Sequence, residues 1–148
     1  MNKIKIIGII GLAVFALSQC KTEKKSDNAL LHDKTPYMLD GEGFPPNLIN
    51  PDNQLTVQGV LLGRMLFYEK QLSADATMSC ASCHHQQFAF TDTARFSTGI
   101  RGKKGGRNAM SVFNMAWHGN EFFWDGRSHL LRDQALKPIQ DELEMDES

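Results

Sequence analysis

The five residues Cys80-Ala81-Ser82-Cys83-His84 constrain this chain more than any other stretch. Two thiols lie one short helical turn apart, and an imidazole follows at once. This is the C-x-x-C-H pattern of covalent haem attachment. The chemistry explains the spacing. Both sulfurs can reach the vinyl groups of one porphyrin, and the next side chain is carried under the ring, where imidazole is a good axial ligand for iron. Cys80 and Cys83 are candidate thioether donors and His84 the candidate iron ligand.

Two other uses of a C-x-x-C pair compete with this one. Half of a zinc site would need two further ligands. The chain has no second C-x-x-C, and His84 and His85 are too close in sequence to join both cysteines easily in a tetrahedron. A thioredoxin-like redox pair wants a strand before it and a helix after it. The segment "ATMSCASCHH" offers no such strand.

The chain has 148 residues and a formal net charge of −1, which bounds it to one domain with no basic bias toward nucleic acid. With three cysteines and two assigned to haem, no disulfide framework is available. The third, Cys20, belongs to an export signal. Lys3 and Lys5 give a positive start, and Ile6 to Leu17 is an apolar run too short for a membrane span. Leu17-Ser18-Gln19-Cys20 resembles a bacterial lipobox, in which the cysteine is lipidated and becomes the mature N-terminus. Gln19 departs from the usual small residue, and an ordinary secretory peptide cut nearby is the competing reading. Either way the chain leaves the cytoplasm, and the expected location is the periplasm, anchored to the membrane through Cys20. Residues 1–20 thus read as signal, 21–50 as a polar tether and lead-in loop, and 51–148 as the haem domain.

Within that domain, Thr56 is an N-cap candidate for a helix carrying Val57, Val60, Leu61, Met65 and Leu66 at helical spacing. This stripe reads as core. Gln86 to Gly106 has no sustained period and reads as a long loop able to fold over a haem face. Arg101, Lys103 and Lys104 with the adjoining Arg107 make a basic cluster, and Arg107 is a candidate partner for a haem propionate. Ala109 to Trp117 is a short helix candidate, and Ser128 a cap for a helix over 129–137 that Pro138 ends. No useful β alternation occurs. The fold expected is mainly α with long loops.

Several separated motifs then meet a family. Leu62-Gly63-Arg64-Met65-Leu66-Phe67, the haem motif, Gly106-Arg107-Asn108, Phe123-Trp124-Asp125-Gly126-Arg127 and Glu144-Met145, in that order, resemble the first haem domain of bacterial di-haem cytochrome c peroxidases. The resemblance implies a cytochrome c-like haem domain with a peroxide-reacting haem c, one in this chain, with Cys80, Cys83 and His84 holding it. It implies Glu144 as the distal acid–base, Gln134 beside it, Trp124 between two haems, and Asn108 as a calcium ligand. It implies hydrogen peroxide as substrate, a small cytochrome c or copper protein as electron donor, and a homodimer. The family's second haem domain is absent from the sequence, so either a piece of a longer protein or a truncated gene is expected.

Many family members carry a capping histidine where this chain has Ile100, which cannot ligate iron. The expectation is a haem open without reductive activation; His118, Met110 or Met115 could substitute as the cap, but each reads first as structural. Two other functions stay open at this point. One is a maturation oxidase of the methylamine-utilisation type, and the other is a mono-haem electron carrier.

Overall fold

The computed structural model describes residues 34–39, 41–46, 51–119 and 121–147, all within the unit Asp33–Ser148. The signal, Cys20 and most of the tether lie outside the described residues.

Helix α1 spans Val57–Tyr68. It starts where the sequence signals a start. Thr56 has extended backbone, and its hydroxyl accepts from the Gly59 N–H at 3.0 Å, satisfying one of the orphan donors of the first turn. The lead-in holds this end in place. Tyr37 N donates to Leu55 O at 3.0 Å and Val57 N to Thr35 O at 2.9 Å. At the other end the Glu69 carboxylate accepts from Gln71 N at 2.8 Å and starts a 3₁₀ turn, Lys70–Leu72.

Helix α2 spans Leu131–Gln140, which corrects the expected boundaries at both ends. Ser128 does not cap it. Its backbone is tied to Phe122, with Phe122 N donating to Ser128 O at 2.7 Å, so the chain there is extended and the helix begins later. Nor does Pro138 end it. The missing N–H costs the bond to Gln134 O, yet Asp141 N still donates to Lys137 O at 2.9 Å and closes the last turn.

The expected helix over 109–117 shrinks to a 3₁₀ turn, Met115–Trp117. The preceding residues spend their hydrogen bonds elsewhere. Thr91 Oγ1 donates to Ala109 O, Ser111 Oγ to Ala89 O, and Val112 N to Phe90 O. Asn114 then takes left-handed backbone, φ 57°, which no α-helix continues through.

The chain between the helices is loop stiffened by 3₁₀ turns and isolated bridges, and no β-strand occurs among the described residues. The fold is mainly α with long loops. Among those residues no helix is long and apolar enough to cross a membrane.

The core is small. Among the described residues Ile100, Phe122 and Met145 are the buried apolar side chains, at 0%, 5% and 3% exposure. The stripe on α1 is not core, contrary to expectation. Leu62 is 56% exposed and Met65 63%, with Leu61 and Leu66 also exposed. A chain of this size buries little surface by itself, and here the apolar face of α1, the longer of the two described α-helices, is still without cover.

Candidate haem site

The cysteine turn, Cys80–Ser82, packs against α1. Ser79 N donates to Ser82 Oγ at 3.0 Å, and His84 N to Cys80 O at 3.0 Å, so one tight turn presents both thiols and the imidazole. Neither thiol is in a disulfide. Burial pushes the Cys80 thiol up. Burial, then the charges of Asp92, Glu144 and Cys80, push Cys83 up to about 11. A redox-active C-x-x-C needs the opposite, a thiol lowered toward neutrality. Both thiols are pushed the other way, which argues against the thioredoxin-like reading. The zinc reading lacks donors, since no cluster of three or more His, Cys, Asp or Glu able to hold a metal occurs among the described residues.

The imidazole of His84 is half-buried and oriented. Its Nδ1 lies 2.9 Å from the Phe90 carbonyl oxygen. A carbonyl only accepts, so Nδ1 carries the proton and Nε2 keeps its lone pair for a metal. Metal-binding histidines are typically fixed in this way by a carbonyl or carboxylate on the other nitrogen. The Phe67 ring stands 6.4 Å from the imidazole and meets Phe90 edge-on at 6.1 Å. Two thiols on one turn, a bare Nε2 beside them and an uncovered apolar helix against that turn fit a covalently bound porphyrin. Covering such surface stabilises by about 25 cal/mol per Å².

Glu144 sits on the turn that follows α2, held by Glu144 N to Asp141 O at 2.9 Å. Its carboxyl group is half-buried and its pKa is raised, first by burial and then by Asp141, against a smaller opposing pull from Arg127. Its charge in turn raises both cysteines, so the fold brings this carboxyl within electrostatic reach of the cysteine turn. Gln134 lies half-buried on α2, with the carbonyl that Pro138 leaves without a helical partner.

The Glu144 turn is locked to the loop carrying Ile100. Ile100 N donates to Glu144 O at 2.8 Å, Lys103 Nζ to Glu142 O at 2.8 Å, and Arg101 pairs with Asp146 at 2.6 Å. Gly99 makes this approach feasible, because a Cβ there would stand 1.8 Å from Leu143 O. Ile100 is wholly buried in the lock. His118 is taken up locally, its Nε2 3.1 Å from Glu121 O.

Trp124, Asn108 and Arg107 come together. Trp124 is 59% exposed, and its indole N–H donates to Asn108 O at 3.1 Å. With Arg95, Phe96 and Gly106 these three line a shallow cavity of about 330 Å³. Arg107 and Arg127 both pair with Asp125, at 2.9 and 2.8 Å, and hold its carboxyl down at about 2.

Two features of the site carry no mark in the sequence. One is the Phe90 carbonyl, a backbone group. The other is Asp92, whose Oδ2 accepts from Ser97 Oγ at 2.7 Å while its buried Oδ1 has no hydrogen-bond partner.

The site and fold define a class, a c-type haem protein. The family model described as di-haem cytochrome c peroxidase matches residues 57–148, more than half of the chain. The chain therefore belongs to the di-haem cytochrome c peroxidase family, which holds haem c covalently. It is 42% identical over 134 residues to the cytochrome c peroxidase Ccp of Escherichia coli, covering 90% of this chain and 27% of that protein. It is 38% identical over 95 residues to the methylamine utilization protein MauG of Methylorubrum extorquens, covering 63% and 27%. Among solved structures, a MauG-like protein associated with microbial copper homeostasis matches with a TM-score of 0.65 at 40% identity, over 71% of this chain and 31% of that one. The chain spans about a quarter of the length of the curated relatives it matches.

Proposed function

We propose that this chain is the peroxide-reacting haem domain of a periplasmic peroxidase, which reduces hydrogen peroxide to two waters with two electrons and two protons. The electrons come from a small cytochrome c or copper protein. The observation that carries this reading is the cysteine turn itself, with two thiols whose pKa burial raises, an imidazole whose Nε2 is left bare by the Phe90 carbonyl, and a half-buried carboxyl group in electrostatic reach. The chain holds one haem c through Cys80, Cys83 and His84. When bound, the haem supplies the metal centre at which the peroxide oxygen–oxygen bond breaks.

The residues of the chain do the rest. Glu144 accepts the proton from one peroxide oxygen and returns it to the other, which leaves as water. Burial raises its pKa, and an acid–base group works best with a pKa near the operating pH. Gln134 orients the peroxide through its amide without changing charge. Trp124 offers an exposed π-system on the electron path, and Arg107 has N–H groups left over from Asp125 for a propionate. Asn108 contributes its side-chain oxygen to a calcium site completed from elsewhere, and the working unit is a homodimer. Cys20 tethers the domain to the membrane.

A second reading is a maturation oxidase acting on a protein substrate, supported by the likeness to methylamine utilization proteins. Peroxide turnover by the holoprotein with a reduced small cytochrome tests the first reading directly. Brisk turnover, falling roughly 10²–10⁴-fold in Glu144→Gln, is expected. Equal turnover by the variant would remove Glu144 from the chemistry.

A further inference from the structure

The turn that aims the His84 hydrogen bond is not built on glycine. Ala89 and Phe90 both take left-handed backbone, at φ 55° and 57°. Side chains with a Cβ hold such a conformation only where their surroundings over-determine it. Here one segment, residues 109–112, does so. Ser111 Oγ donates to Ala89 O, Val112 N donates to Phe90 O at 3.3 Å, and Thr91 Oγ1 donates to Ala109 O. The Phe90 oxygen thus accepts twice, from His84 Nδ1 at 2.9 Å and from Val112 N at 3.3 Å. Its two lone pairs are both engaged, and the second bond fixes the direction left for the first.

We infer that Ser111 and Thr91 are positioning residues for the axial ligand. Their hydroxyls fasten segment 109–112 to the 89–91 turn, so they set the aim of the Phe90 carbonyl and, through it, the electron density His84 offers to iron. An imidazole whose Nδ1–H gives a well-aimed hydrogen bond is the more basic ligand. A more basic ligand stabilises the oxidised metal. Loosening the turn weakens that bond and works in the opposite direction. The inference rests on the haem reading above and adds to it the residues that tune the ligand.

The test uses the holoprotein with Ser111→Ala, Thr91→Val, both together, and Ser111→Thr as the conservative control that keeps the hydroxyl. Two quantities are read: the midpoint potential of the haem on His84 by spectroelectrochemical titration, and the iron–histidine stretching frequency of the reduced protein. Either single variant is expected to shift the potential upward and the frequency downward, the pair more so, while Ser111→Thr stays at the wild-type values. Should the double variant not fold, the two singles carry the comparison. Variants with haem attached and both quantities unchanged would overturn the inference and leave the haem reading standing. Wild-type protein that gains no haem mass would sink both.

Discussion

Glu144 is a carboxyl group that the fold penalises for being charged, because its raised pKa arises first from burial. The protonated form is therefore bound more tightly by the folded state than by the unfolded one. The stability this gives is present below the ordinary carboxyl range and is lost as pH rises through the raised pKa. Glu144→Gln should accordingly stabilise the holoprotein against urea at pH 7 and change little at pH 4. A variant less stable at pH 7 would show that the charged form is held by favourable contacts instead. The thiols give a second residue-scale expectation. With Cys83 near 11, alkylation of the haem-free chain should be slow at neutral pH and accelerate only in strongly alkaline solution. Rapid labelling at pH 7 would restore the redox-pair reading. The cysteines and His84 could be singled out in the sequence because their side chains carry the pattern. The Phe90 carbonyl could not, since every residue has one and only the tertiary turn selects it.

At the scale of elements, the lock between the Ile100 loop and the Glu144 turn depends on the missing Cβ at Gly99 more than on its ion pairs. The obstructing atom is backbone, Leu143 O, which cannot swing aside. Gly99→Ala should cost about 1–3 kcal/mol and depress turnover by moving Glu144. Arg101→Ala removes a half-exposed pair with Asp146 and should cost about 1 kcal/mol or less. Denaturant titration of both variants decides the order, and a larger loss in Arg101→Ala would contradict it. Thr56→Ala should cost about 1 kcal/mol through loss of the α1 cap.

Helix α1 was legible because cap and periodicity are local signals. Helix α2 was misplaced at both ends because Ser128 is claimed by Phe122 and because its proline forfeits one bond without ending the helix. Segment 109–114 reads as helix by its apolar spacing, yet bonds to residues 89–91, a pairing that no local pattern announces.

For the whole molecule, the weight falls on what the polypeptide does not bury. With Ile100, Phe122 and Met145 as the buried apolar side chains among the described residues, and Leu62 and Met65 more than half exposed, the domain leaves apolar surface that a porphyrin would cover on the proposed reading. Periodicity on α1 correctly marked an apolar face, but the sequence cannot say whether protein or cofactor covers it. The most direct measurement is the intact mass and reduced absorption spectrum of the protein made in a host that attaches haem c, compared with Cys80→Ala/Cys83→Ala. The account predicts one haem's added mass on these cysteines, a Soret band, and loss of both in the double variant. An unmodified wild-type mass, or covalent haem persisting without these two sulfurs, would contradict it.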